Sequence, residues 1–168
     1  MCLRNLMFKP KRLLIVPLIV LAVGVIVLKL LSFTGSAPVR GEAMTRLPVC
    51  PPSPNCVCSQ DPDEAHSVAA IRYVGNPAEA WDDLQRRLTD LGGKPVANDG
   101  GHYARYEFRS RIFGFVDDVE CLLNKDEMRI EIRSASRSGY SDLGANRRRV
   151  ERIRTQFAKF NSGVTSPE

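Results

Sequence analysis

Residues 13–31, LLIVPLIVLAVGVIVLKLL, are apolar apart from Lys29. At about 1.5 Å of rise per residue such a run crosses a hydrocarbon core of roughly 30 Å, so it predicts one N-terminal transmembrane helix. Pro17 falls in its first turns, where a lost backbone hydrogen bond costs least. Lys29 falls near the exit end, where its stem reaches the headgroups. The pattern then changes. Six of the eleven prolines lie between Pro38 and Pro62, which predicts an extended Pro/Cys-rich connector arm over 32–65. Readable periodicities begin near His66 and predict a folded domain over 66–162, followed by a flexible tail at 163–168.

Inside that domain, SVAAIRYVG predicts a first strand. NPAEAWDDLQRRLTDLGG predicts a helix with Asn76 as N-cap, Pro77 at its first position, Glu79 at the third and Gly92 past its end. Trp81, Leu84, Leu88 and Leu91 make its apolar stripe. NDGG at 98–101 predicts a hairpin turn. The strand patterns HYARYEFRS, DVECLLN and MRIEIRS follow, each alternating an apolar with a charged face. A last helix, starting after Ser141 and running to about Phe160, carries Leu143, Asn146, Val150, Ile153, Phe157 and Phe160 on its core-facing stripe. Asn146 is the odd member, and a bond to a neighbouring loop is expected, because an unpaired buried amide costs roughly 1–3 kcal/mol. The order β-α-β-β-β-β-α predicts an α+β two-layer sandwich, its mostly antiparallel sheet covered by helices on one face. The charged face reads as a solvated sheet surface with cross-strand ion pairs.

Charge changes the picture in two ways. Arg4, Lys9, Lys11 and Arg12 precede the apolar run, so residues 1–12 read as a basic cytoplasmic N-terminus and the remainder as extracytoplasmic. The rival is a cleavable signal peptide ending at Gly35-Ser36-Ala37; the length of the apolar run favours an uncleaved signal-anchor. The net charge of +5 arises before Thr45, so the remainder is formally neutral and no nucleic-acid partner is expected.

Three cysteines fall in CPPSPNCVCSQ, in a part of the chain placed outside the cytoplasm, and read first as disulfide chemistry. Cys50–Cys56 closes a small loop already bent by its prolines, leaving Cys58 spare unless it competes for the same partner. The alternative is a metal site of Cys50, Cys56, Cys58 and His66, although C-x5-C-x-C-x7-H matches no standard zinc spacing. Cys121, on an apolar strand face, reads as a small buried hydrophobe.

The crossing from strand to last helix, RSASRSGYSDLGANRRRVERIR, holds the candidate site. Meander topology brings the loop Ser110–Asp117 and the loop Ser134–Asp142 to one end of the sheet, beside the start of the last helix. Helix N-termini suit anions, and Arg137 and Arg147 offer charge-assisted bonds. The candidate ligand-binding set is Asp117, Asp118, Arg137, Tyr140, Ser141, Asn146 and Arg147. The bland reading is a capped helix start, with Ser141 as N-cap, Asp142 on the dipole and Arg137 paired with Asp117 or Asp118. No catalytic residue is assigned. GYSDLG is no nucleophile elbow, and strand alternation splits Asp117 from Asp118.

CPPSPNCVCSQ, Ala80-Trp81, GFVDDVE and RSASRSGYSDLGANRRRVERIR together resemble the domain of unknown function 1499 family, over about residues 47–157. The resemblance implies bacterial and plastid relatives, often exported or membrane-anchored, and supplies no reaction, cofactor or ligand. The family usually has serine where this chain has Cys58, which supports Cys50–Cys56 as the disulfide and weakens the metal alternative.

The expected function is a single-pass inner-membrane protein with a periplasmic binding or accessory module for a small anionic ligand, without a cofactor. The alternatives are an envelope protein-interaction module, using the outward Arg148, Arg152 and Lys159, and a hydrolase-like enzyme using Asp117, Asp118 and Ser141.

Overall fold

The computed structural model describes residues 10–31, 44–110 and 113–164, with the side chains of the first helix described for 16–27 and 30. Helix α1 spans Pro10–Leu31 and contains Pro17. Among the described residues no helix is long and apolar enough to cross a membrane. Of the transmembrane run expected over 13–31, the side chains of 13–15, 28, 29 and 31 lie outside the described residues. The basic residues Arg4 and Lys9, the first part of the connector (32–43) and the last four tail residues lie outside the described residues.

The domain is α+β with an open antiparallel sheet. Strands β1 (Cys56–Cys58) and β2 (Ile71–Arg72) precede helix α2 (Pro77–Asp90), and strands β3 (Lys94–Asn98), β4 (Tyr103–Arg109), β5 (Val116–Asn124) and β6 (Arg129–Ser136) follow it and lead into helix α3 (Ala145–Val164). The sheet order is β1-β6-β5-β4-β3, with β2 also paired to β6. Asn76 accepts a hydrogen bond from the Ala78 N–H and caps α2. Asp99 Oδ1 accepts from the N–H groups of Gly101, His102 and Tyr103 and closes the β3–β4 hairpin. These are local signals, and they hold as the sequence predicts.

Three expectations change. The arm is no mere connector, because Cys56–Cys58 is a strand paired with Arg133–Ala135 of β6, ahead of the expected domain start at His66. The strand expected over SVAAIRYVG shrinks to Ile71–Arg72. The same edge of β6 is shared, with β1 on its far half and β2 opposite Arg129 and Ile130.

α2 and α3 cover one sheet face, where Trp81, Leu84 and Leu88 meet Val119, Ile130, Ile132, Val150, Ile153 and Phe157 in one apolar core. The other face is not solvated, contrary to expectation. Asp118, Glu120 and Glu131 there are only 2, 1 and 1 % exposed. Part of the cover is the arm itself. Leu47 packs with Cys58, Tyr103 and Leu122, and Met44 and Cys50 join them. The arm runs the length of the sheet. The Met44 carbonyl lies 3.2 Å from His102 Nε2 beside the β3–β4 hairpin, whereas Asn55 Nδ2 donates to the Gly139 carbonyl at the opposite end.

A disulfide joins Cys50 to Cys56, with Cα atoms 5.6 Å apart and six residues of separation, and clamps the arm against β1. Closing so short a loop removes denatured-state entropy worth about 2 kcal/mol in the chain-entropy account. Cys50→Ser is expected to lower unfolding stability by about that amount, read from the urea midpoint at unchanged slope. An unchanged midpoint would show that the arm is held without its clamp.

Candidate functional site

Strand pairing sets both predicted loops at one end of the sheet. Asp117 stands opposite Ser136, and the Arg137 N–H donates to the Val116 carbonyl at 3.0 Å. Adjacent residues on a strand point to opposite faces, so Asp117 and Asp118 enter different environments.

Asp117 belongs to the helix side. Its Oδ1 accepts from Ser136 Oγ at 2.5 Å, and its Oδ2 from Arg149 Nη2 at 2.5 Å. Ser136 Oγ accepts in turn from Asn146 Nδ2 at 3.0 Å. Asn146 Oδ1 accepts from Ser134 Oγ and from Arg149 Nη1, both at 2.6 Å. The ring closes through Arg149, whose guanidinium also lies 4.9 Å from the centre of the Phe108 ring. Asn146 spends its second amide hydrogen on the Asn55 carbonyl at 2.8 Å. This is the loop bond expected for it, and the loop is the end of the arm.

Asp118 belongs to the arm side. Arg137 donates to it through Nε at 2.7 Å and Nη2 at 2.8 Å, and also reaches Glu107. Arg105 adds an ion pair at 3.5 Å. Further along the face, Glu120 takes Arg133 at 2.8 Å and the Tyr103 hydroxyl at 2.9 Å. Burial, followed by the charge of Glu120, pushes the Tyr103 phenol well above its ordinary range. Burial raises the Glu107 carboxyl, but the hydrogen bond and charge of Arg137 outweigh it and hold the group below the usual glutamate value. Hydrogen bonds to Asp118 and Glu107 raise the Arg137 guanidinium against the opposing effect of burial.

The remaining candidates sit apart from these networks. Arg147 donates to the Ser67 and Ala65 carbonyls at 2.8 and 2.7 Å. Ser141 is not the N-cap expected of it, since α3 begins at Ala145 and Ser141 Oγ accepts only from the Leu143 N–H at 3.2 Å. Asp142 takes the capping role. Its carboxylate accepts from the Gly144 and Asn146 N–H groups at 2.8 and 2.6 Å. The longer reach of aspartate matches a helix that starts after a left-handed turn at Leu143 (φ 54°) and Gly144 (φ 78°). Leu143 is consequently not on the core stripe. It is 84 % exposed and Tyr140 is 76 % exposed.

The seven candidates therefore share one end of the sheet without converging on one pocket. Asp117 and Asn146 are bonded on the helix side, Asp118 and Arg137 on the arm side, Arg147 holds a loop, and Tyr140 and Ser141 face solvent. Described clefts lie elsewhere. One of 610 Å³ borders Asp82, Arg86 and Phe160, and one of 370 Å³ at the hairpin end borders His102, Lys125 and Glu131.

Of the proposed metal ligands, Cys50 and Cys56 are consumed by the disulfide. His66 is buried, with Nδ1 3.0 Å from the Cys56 carbonyl. Cys58 and Cys121 are free and buried, and burial raises both thiols. Among the described residues no group of three or more His, Cys, Asp and Glu side chains could hold a metal ion. The residues that sequence reasoning missed are Asn55, Ser134, Ser136, Glu107 and Arg149. Arg149 left one trace, since it lies three residues after Asn146 and shares its helix face.

A family model described as "Protein of unknown function (DUF1499)" matches residues 46–157, which takes in the arm from Arg46 and most of α3. No curated protein matches the chain.

Arg137→Leu leaves buried Asp118 with only its 3.5 Å ion pair to Arg105 and is expected to cost about 3 kcal/mol. The sign of its pH dependence follows from Glu107. A depressed carboxyl contributes fully above its ordinary value of about 4.3 and loses that contribution as pH falls through the lower folded value. The gap between the variant and the parent should narrow in acid, as measured by urea melts across pH; a constant gap would remove Glu107 from the clamp. Leu143→Gly should raise stability by roughly 1 kcal/mol, because glycine accepts the left-handed backbone without strain and no buried side chain is lost. A lower melting temperature for this variant would show that the leucine side chain supports the fold.

Proposed function

This chain belongs to the DUF1499 family, a family of unknown function, and we propose that it is a membrane-anchored, extracytoplasmic accessory module whose loop end serves protein interaction. One observation carries the interaction reading. The charged groups of Asp117, Asp118, Arg137 and Arg149 at the loop end pair with one another, while Tyr140 and Leu143 project into solvent. A small anion would have to displace Asp118 from Arg137 or Asp117 from Arg149, each a charge-assisted pair. A hydrolytic site would need Asp117, Asp118 and Ser141 within reach of one reacting atom, and they belong to three separate environments. A protein surface needs neither rearrangement.

The anchored placement is supported by composition on one side and chemistry on the other. α1 exposes Val16, Leu18, Ile19, Val20, Leu21 and Val23 around its circumference, a pattern that suits a helix in an apolar medium. The Cys50–Cys56 bridge suits an oxidising compartment.

In membranes from cells making the full chain, the protein is expected to stay in the pellet after alkaline carbonate. Free thiols trapped before lysis should show Cys50 and Cys56 blocked to alkylation. Release by carbonate, or an alkylated Cys50, would overturn the anchored, extracytoplasmic placement. Native mass spectrometry of the detergent-purified chain tests the interaction reading. A retained small anion that is lost on Arg147→Ala would replace it with a ligand pocket.

A further inference from the structure

We propose that Tyr140 and Leu143 form a preorganised docking tip for an acidic protein partner, one that meets the domain on the side away from its anchor. This inference rests on the reading of an anchored interaction module.

The tip is built to hold its shape while presenting apolar surface. Leu143 keeps a left-handed backbone, φ 54°, which a leucine adopts only at a cost. The surrounding bonds hold it there. Ser141 Oγ accepts from its N–H, Arg148 Nη1 donates to its carbonyl at 2.8 Å, the Asp142 carboxylate accepts from the Gly144 and Asn146 N–H groups, and Asn55 ties the Gly139 carbonyl to the arm. The side chain so fixed makes no use of the strain within the domain, being 84 % exposed. Three residues away, Tyr140 adds a ring with a polar end, the kind of group that binding surfaces favour. A fixed apolar tip loses little conformational entropy on docking.

Charge around the tip selects the partner. Arg147, Arg148 and Arg152 are exposed on the first two turns of α3. None of the three pairs with a carboxylate among the described ion pairs, whereas Glu151 is already taken by Arg154. A partner surface with an apolar socket rimmed by carboxylates complements this arrangement.

The course of the arm separates a protein from the bilayer as occupant. Met44, the first described residue of the arm, lies beside His102 at the hairpin end, and the tip stands at the other end of a nine-residue strand, about 25–30 Å away. Residues 32–43 link α1 to Met44 and reach at most about 40 Å when fully extended. Bringing the tip to the anchor's own membrane would spend most of that reach running back along the domain. An outward-facing tip needs no such extension.

The test is photo-crosslinking in membranes containing the full chain, with Leu143 replaced by a photoreactive phenylalanine analogue. Matched probes replace Val96 on β3 and Lys159 near the end of α3. A protein adduct is expected from position 143 and not from 96, joined through a peptide rich in Asp and Glu. Arg148→Glu with Arg152→Glu should lower its yield by about tenfold. Arg152→Glu alone, which leaves the Arg148–Leu143 hydrogen bond in place, should lower it in the same direction and guards against a misfolded loop. A phospholipid adduct, a chain crosslinked to its own copy, or a yield indifferent to charge reversal would overturn the proposal. Protein adducts at 159 without any at 143 would overturn the tip while leaving an interaction module standing. No adduct at any position would overturn both.

Discussion

Glu107 and Asp118 stand opposite each other across β4 and β5, a like-charge pair that would destabilise the register if left alone. Arg137 makes that register tolerable by donating to both carboxylates. Much of the molecule follows from this clamp. Arg137 is the first residue past β6, and its N–H is held by the Val116 carbonyl. The end of β6 is thereby pinned to the start of β5, and the direction in which the chain leaves the sheet is fixed. The next strand position serves the other face, where Asp117 holds Arg149 and so locates α3. Two neighbouring aspartates thus organise the two faces of the sheet from one point on β5.

Neither attachment is a large source of stability in its own right. Removing charges from water costs several kcal/mol per ion, and pairing them returns about as much. The favourable term is the apolar layer of Trp81, Leu84, Leu88, Ile130, Ile132, Ile153 and Phe157 beneath the helices. The buried polar groups supply specificity instead. Asn146 can satisfy both its amide hydrogens and its carbonyl only when Ser134, Ser136, Arg149 and Asn55 are all in place. A register slip on β6, or an arm laid elsewhere, would leave several of these groups buried and unpaired, at roughly 1–3 kcal/mol each. The arm is accordingly a structural member. It carries the carbonyl that completes Asn146 and covers part of the charged face of the sheet.

The legible parts of the fold are those in which the deciding groups lie close together in sequence. Asn76, Pro77 and the Trp81–Leu84–Leu88 stripe announce α2, and NDGG announces the hairpin, because caps and turns are closed by bonds spanning a few residues. The shared loop end was legible too, since meander connectivity alone dictates it. The strand in Cys56–Cys58 was not, because three residues among prolines carry no periodicity and pair with a partner more than seventy residues away. The helix start was misplaced for a related reason. Ser141 and Asp142 are both good caps, and only the left-handed turn at Leu143 decides between them.

By itself the sequence determined which residues alternate, which helices form and which end of the sheet gathers the loops. Each of these depends on short-range geometry or on chain connectivity. The tertiary structure alone decided that the charged strand face is buried, that Asp117 and Asp118 serve separate networks, and that Tyr140 and Leu143 stand exposed. Alternation says that Asp118 and Glu120 share a face, but burial depends on what crosses that face. Here the cover includes an arm joined to the sheet through long-range hydrogen bonds whose partners no local pattern encodes.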